Sequence, residues 1–401
     1  MQPFEIFITI ICLLIGYFIG SVNPAYFFGK YKGINLREVG TKNLGTANTY
    51  WTLGFKYAAP TAFYDTFKSL FVILIALLLG VNLFFAHICG LMTIIGHIFP
   101  FYLRFRGGQG VAAATGMLLY YLLNYFILNF FYFFFMFYLI LIVIIFTYIT
   151  RAGNLLSPLV LPLLGYSVWV TFPGNIFNLF FTIILAHITG IGTYNVIKRR
   201  MVKIEDENFQ THWWRVAARP FATLFLIFYA FQSQLNTLFF IGVVSLFFII
   251  FDIYRFIHKQ ADELITTKVK ALLRKNELKK FSSMTIFLVA LFITILLFRK
   301  EVAIVSSVFL IFGDSFGKVF GLAYGRHKLH DKSLEGTLAY AGSVLIMGYI
   351  LYTTVPISLP ILILGGISAP VVEFFSMGVN DNLTVPLITG SIMTVALITG
   401  L

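Results

Sequence analysis

A chain of 401 residues that is 59% hydrophobic and only 11% charged falls well below the about 25% charged residues of a soluble domain, so it reads as an integral membrane protein. The formal net charge of +13 is explained by positive cytoplasmic loops and anionic head groups, and no nucleic acid is implied. Cys12 and Cys89 both lie in apolar runs, which excludes a disulfide framework and leaves no spaced metal-ligand set.

The opening MQPFEIF carries Glu5 and no basic segment, so a cleavable signal is not expected and residues 4–28 read as a first retained span. Further apolar runs of spanning length fall near 55–80, 83–103, 111–128, 130–149, 155–171 and 176–197. With the N-terminus outside, nearly every Lys and Arg between 30 and 200 falls in the segments 29–54, 104–110, 151–154 and 198–219, all on the inner side. Lys56, at the inner end of its span, and Lys68 are the exceptions.

Between the first two spans, Gly20 to Asn48 reads GSVNPAYFFGKYKGINLREVGTKNLGTAN. Glycines let backbone N–H groups approach an anion while Lys30, Lys32, Arg37 and Lys42 neutralise it. An ordinary positive cytoplasmic loop would share this composition. Asp65 and Lys68 lie deep in the second span, where ionisable groups are costly and face a cavity or a partner. Three residues apart on one helix, they are placed to pair with each other or to support the polar loop.

The third span ends in GHIFP, followed by Arg104 to Ala112, RFRGGQGVA. A glycine-rich turn opening a helix offers free N–H groups to a phosphate, although the P-loop spacing is absent. His97 reads either as a base or as a satisfied structural histidine. The run Asn195 to Arg200, NVIKRR, reads equally as a polar site or as stop-transfer charge.

Taken together, GS…GKYKGINLRE, GTKNLGTAN, Asp65 with Lys68, GHIFPFYLRFRGGQGVA and Asn195 with its basic tail resemble the bacterial acyl-phosphate:glycerol-3-phosphate acyltransferases over residues 1–200. The resemblance implies seven helices with the N-terminus outside and direct attack of a glycerol hydroxyl on an acyl phosphate. It implies that Ser21, Arg37 and the glycine-rich turn at 107–110 hold glycerol-3-phosphate or the acyl phosphate, and Ser21, Arg37, Asn43, His97 and Asn195 are the candidate catalytic residues. Lys30, Thr41, Lys42, Asn48, Arg106, Gly107, Gly108, Gln109 and Gly110 would hold substrate phosphate. The family turn usually reads GGKG, so Gln109 stands where a lysine is expected, and Gly192 stands where a histidine is expected. Thr41-Lys42 replaces a serine-containing GSGN, and Glu205 or Glu207 lies near an expected glutamate.

After residue 200 the chain turns polar, and a domain boundary is expected near 204/205. Spans follow near 220–232, 236–254, 282–298, 301–317, 337–354, 357–375 and 384–400. The expected fold is therefore all-α and polytopic, with about 14 transmembrane helices in two helical-bundle domains, 1–204 and 205–401. Arg299 and Lys300 fall on the outer side and break the charge rule. Gly313 to Lys318 (GDSFGK), Gly325 to Lys328, and Lys332 to Thr337 (KSLEGT) set carboxylates beside lysines and glycines, the combination needed to hold Mg²⁺ and nucleotide phosphates. Interfacial loops of a transporter or scaffold would also carry such residues.

GDSFGKVFGLAYGRHKL, KSLEGT and DNLTVP, with a further segment at 272–282, look like the CTP-dependent kinases of dolichol, phytol and diacylglycerol. Trp214-Arg215 and Arg219 are a loose counterpart of that family's opening basic motif. The resemblance implies CTP and Mg²⁺ as reagents and a lipid alcohol as substrate. Asp314 and Glu335 would be catalytic. Lys318, Lys332, Ser333, Asp381 and Asn382 would bind substrate, and Asp314 with Glu373 would hold the metal.

The whole chain is thus expected to be a bifunctional phospholipid-biosynthesis enzyme of the cell (inner) membrane, with both sites facing the cytoplasm and no tightly bound cofactor. Membrane lipids, glycerol-3-phosphate and a lipid alcohol are its expected partners. An enzyme with only the kinase half active, or a non-catalytic transporter or scaffold, are the alternatives. A transporter would line a path through the membrane with charge, whereas only Asp65 and Lys68 lie deep.

Overall fold

The computed structural model describes residues 2–130, 132–257, 280–329, 332–375 and 380–400. The chain is an all-helical integral membrane protein forming two compact units, Met1–Ile140 with Gly153–Arg199, and Leu141–Ala152 with Arg200–Leu401. Among the described residues, eleven segments are long and apolar enough to cross a bilayer, and two shorter apolar helices accompany them.

The first unit holds α1 (Pro3–Ser21), α2 (Pro24–Tyr31), α3 (Thr46–Leu53), α4 (Phe55–Leu78), α5 (Leu83–Ile98), α6 (Val111–Leu128), α8 (Leu156–Thr171) and α9 (Phe177–Lys198). Helix α7 (Tyr132–Thr150) contributes its residues to Ile140 here and its remainder to the second unit. The first expected span divides at Val22-Asn23, because the Asn23 side chain accepts from Tyr26 N–H and Pro24 occupies the first helical position of α2. Helices α1 and α5 pack backbone to backbone. A Cβ at Gly20 would collide with the Thr93 main chain, and one at Gly96 with the main chain of Tyr17 and Ser21. Small residues permit this approach in a membrane, where packing rather than water drives helix association.

The second unit holds α10 (Glu207–Ala218), α11 (Thr223–Phe231), α12 (Gln234–Ile257), α13 (Ser283–Leu297), α14 (Lys300–Tyr324), α15 (Leu334–Thr354), α16 (Leu359–Phe375) and α17 (Asp381–Ile398). A two-residue antiparallel ribbon, β1 (Lys328–Leu329) with β2 (Lys332–Ser333), precedes α15. Helix α14 is central, with Val302 to Ile311 all buried.

Two expectations change. The span near 220–232 is the 3₁₀ turn Arg219–Ala222 followed by α11, together about 21 Å long and short of the ~30 Å hydrocarbon core. Lys300 is not a stray outer charge. Its ammonium donates to Ala230 O at 2.8 Å and Gln232 O at 3.1 Å, which compensates the carbonyl end of α11. The stretch Gly313 to Lys318 continues the helix of the span expected near 301–317, and Gly313 lies against the ring of buried Tyr340 and lets α14 and α15 close together. The segment 272–279 of the kinase-like stretch lies outside the described residues.

Candidate functional site

In the first unit the polar loop is built on a small core of Ala25, Leu36, Leu44 and Leu103. Buried Asn48 organises it. Its amide N–H groups donate to Leu36 O (2.8 Å), Asn43 O (3.0 Å) and Val39 O (3.2 Å), and its Oδ1 accepts from Thr41 N–H at 2.7 Å. Asn48 was expected to bind substrate, but its amide is engaged by the loop's own backbone, including that of Thr41 and Asn43.

Loop and glycine turn meet through Arg37, whose guanidinium donates to the carbonyl of Arg106. Asn23 joins them as well, donating to Leu44 O at 3.2 Å. Gly107 N–H donates to Ile98 O at 2.8 Å and Gly108 N–H to His97 O at 3.1 Å, so the turn folds back over the end of α5. A Cβ at Gly108 would strike both His97 Nε2 and Leu44 O. Gly110, at φ +71°, then opens α6.

Beneath the turn lies a fully buried ionic group. The Lys68 ammonium donates to Asp65 Oδ1 (2.8 Å) and Gly20 O (3.1 Å), and lies 2.8 Å from His97 Nδ1. Asp65 and Lys68 therefore pair with each other and also reach the glycine turn through His97, which unites their two expected roles. Ser21, also buried, donates to Tyr17 O at 2.8 Å, and its carbonyl accepts from Tyr102 at 2.9 Å.

Gln109 and Asn195 hold each other by a reciprocal amide pair at 3.1 and 3.3 Å, while His187 Nε2 lies 3.0 Å from Gln109 O. Each of the two amides keeps one further donor and one further acceptor position. No room remains at Gly192 for a larger side chain, because a Cβ there would meet Ser157 Oγ. Among the described residues Lys30, Arg37, Lys42, Arg104 and Arg106 form no ion pair, so the rim of the loop cluster is uncompensated positive charge suited to an anion. Asn23, Tyr102 and His187 belong to this cluster and escaped sequence reading. Of the three, only Asn23 had a signal, the Asn-Pro pair that restarts a helix.

The second unit encloses a cavity of about 600 Å³. Its walls include Trp214, Phe221, Phe225, Phe248 and Phe287, and its polar end holds Arg219, Asp314, Lys318, Asp381 and Asn382. Arg219 donates to both Asp314 and Asn382. Lys332 donates to Glu373 Oε1 at 2.6 Å and to Asp381 Oδ2 at 3.3 Å. Glu335 was expected to be catalytic but is wholly buried. It accepts from Arg326 N–H (3.0 Å) and His327 N–H (3.2 Å) and lies 2.7 Å from His327 Nδ1, so it anchors the ribbon. Ser333 caps α15, accepting from Gly336 N–H at 3.1 Å.

Among the described residues no three His, Cys, Asp or Glu side chains converge as a metal site. The expected pairing of Asp314 with Glu373 is not formed as a bare carboxylate pair, because Arg219 holds the first and Lys332 the second. Asp314 and Asp381 nevertheless line one cavity, and one or two carboxylates completed by ligand oxygens is the usual environment of Mg²⁺.

Fold and loop cluster together define a polytopic membrane protein whose first helical unit carries a cation-rimmed loop cluster. The chain belongs to the glycerol-3-phosphate acyltransferase family. The family model described as "Glycerol-3-phosphate acyltransferase" matches residues 10–201. The glycerol-3-phosphate acyltransferase of Streptococcus agalactiae serotype III is 36% identical over 183 residues, 44% of this chain and 86% of that protein. Glycerol-3-phosphate acyltransferase 2 of Dehalococcoides mccartyi is 38% identical over 119 residues, 29% of this chain and 57% of that protein. The solved structure titled "Crystal structure of PlsY (YgiH), an integral membrane glycerol 3-phosphate acyltransferase - the glycerol 3-phosphate form" is 25% identical, with a TM-score of 0.38 over 48% of this chain and 93% of that one.

Proposed function

We propose that the first unit transfers an acyl group from acyl phosphate to glycerol-3-phosphate, giving lysophosphatidate and inorganic phosphate. The observation that carries this reading is the meeting of a cation-rimmed polar loop with the glycine turn at Gly107 and Gly108, held by Arg37 on Arg106 O. Both substrates are phosphate esters or anhydrides, and both need cations and N–H donors. The glycerol hydroxyl oxygen forms the new ester bond at the acyl carbon, and the bond from that carbon to the phosphate oxygen breaks. The departing phosphate carries away the electron pair and is able to take up the hydroxyl proton. Arg37 keeps guanidinium donors for a phosphate, while Gln109, paired with Asn195, offers a neutral amide where the resemblance leads one to expect a lysine.

For the second unit the reading is a CTP-dependent kinase of a lipid alcohol. It is supported by a cavity with an apolar wall for a hydrocarbon tail and a polar end at Asp314, Lys318 and Asp381. Mg²⁺ held at Asp314 and Asp381 would offset charge on the nucleotide phosphates. Lys318 and Lys332 are the cations nearest to hand for those phosphates.

Purified protein in nanodiscs, given acyl phosphate and labelled glycerol-3-phosphate, tests the first reading, with Gln109→Lys assayed in parallel. Lysophosphatidate from the wild type is expected. Product from Gln109→Lys alone would mean that the amide pair has silenced the site, and silence from both would overturn the acyltransferase reading. Transfer of the labelled terminal phosphate of CTP to dolichol, phytol or diacylglycerol tests the second unit in the same preparation.

A further inference from the structure

His97 stands at the junction of the buried ion pair and the glycine turn, and its two ring nitrogens have different surroundings. Nδ1 lies 2.8 Å from Lys68 Nζ. An ammonium has three N–H donors and no acceptor, and the other two donors point to Asp65 Oδ1 and Gly20 O. At that distance one of the two nitrogens must accept, so the lone pair belongs to Nδ1 and the neutral ring carries its proton on Nε2. An imidazolium would set two donors against each other. Asp65, at 2.8 Å from Lys68, supplies the counter-charge that keeps the third ammonium donor in place for the ring. Asp65 Oδ1 also lies 3.3 Å from Nδ1, farther than the ammonium at 2.8 Å, and the second Asp65 oxygen has no partner.

Nε2 has no hydrogen-bond partner among the described residues, although the His97 side chain is only 3% exposed. It points to the space that a Gly108 side chain would occupy, beside Leu44 O. A ring nitrogen without a partner, on a side chain almost wholly enclosed beneath a glycine turn, is a donor arranged for an incoming oxygen.

We propose that His97 acts as a hydrogen-bond donor through Nε2–H to an anionic oxygen of the bound acyl phosphate or glycerol-3-phosphate, and not as a general base. Lys68 and Asp65 are positioning residues that fix its tautomer. The inference rests on the acyltransferase reading for the identity of the oxygen, but not for the tautomer. A base needs a lone pair facing the substrate, and Nδ1, which has it, faces inward to Lys68.

Two measurements test this separately. Protein labelled with ¹⁵N-histidine is examined by solid-state NMR in lipid, with the His97 signal assigned by its loss in His97→Gln. The expected spectrum shows a protonated Nε2 and a hydrogen-bonded, unprotonated Nδ1, and Lys68→Met perturbs the Nδ1 signal. A ring protonated at Nδ1 overturns the proposal whether or not the protein is active. In the transfer assay His97→Gln, whose amide N–H can replace the donor, retains kcat within ten-fold of wild type, whereas His97→Leu loses about 10²-fold or more. Equal loss in both variants would mean that proton abstraction is the role. Rescue by Gln alongside the Nε2–H tautomer is the result that supports donation.

Discussion

At the loop cluster of the first unit, Arg37, Lys42, Arg104 and Arg106 face outward with no carboxylate partner among the described residues, and the one ionic group is buried below them at Asp65 and Lys68. In the second unit the arrangement is reversed. Arg219, Arg326 and Lys332 each close onto a carboxylate at the polar end of the unit. A cluster of free cations attracts a small, doubly charged substrate from water. A closed network of cations and carboxylates attracts little by itself, and under the proposed kinase reading a metal and a nucleotide would have to exchange partners with it. The two centres use similar residues, and what differs is which charges are left over.

The largest effect that separates them is on stability. Lys68→Met strands Asp65 in a site from which water is excluded, and breaking a buried pair costs about 3–5 kcal/mol. The unfolding midpoint in detergent drops sharply, and the double change Asp65→Leu with Lys68→Met recovers much of the loss. Arg219 and Asp314 are 20% and 21% exposed, so Arg219→Ala barely moves that midpoint. It lowers phosphate transfer from CTP instead, by ten-fold or more, and leaves acyl transfer unchanged.

Asn48→Ala comes next. It leaves Thr41 N–H and the carbonyls of Leu36, Val39 and Asn43 without a partner, at about 1–3 kcal/mol for the most buried group. The loop loosens, and the expected outcome is a KM for glycerol-3-phosphate that rises more than kcat falls. The smallest effect is salt. Raising ionic strength from about 0.01 M to 0.15 M shortens the screening length from about 30 to 8 Å. The KM for glycerol-3-phosphate is therefore expected to climb a few-fold, while the KM for the proposed lipid alcohol, which would meet an apolar wall, is expected not to.

Hydropathy and charge asymmetry made most of the spans legible, because twenty apolar residues have few other uses. The short run at Arg219–Phe231 was misread as a full span because apolar composition is blind to a helix that ends early against a lysine from another segment. The site was legible as residue types and not as roles. Asn48 stood in a phosphate-like motif, and only folding reveals that its amide is consumed by four bonds within the loop. Glu335 likewise stood in a motif with lysine and glycine, yet its carboxylate turns inward to Arg326 and His327. His97 and Lys68 are 29 positions apart and Arg219 and Asp314 are 95, distances at which no local pattern signals contact.

The most direct measurement is a crossed pair of assays on one nanodisc preparation of wild type, His97→Leu and Lys332→Met. Wild type is expected to make lysophosphatidate from acyl phosphate and to transfer phosphate from CTP to a lipid alcohol. His97→Leu should lose only the first activity and Lys332→Met only the second. A wild type lacking either activity, or a single change that abolishes both, would contradict two independent centres in one chain.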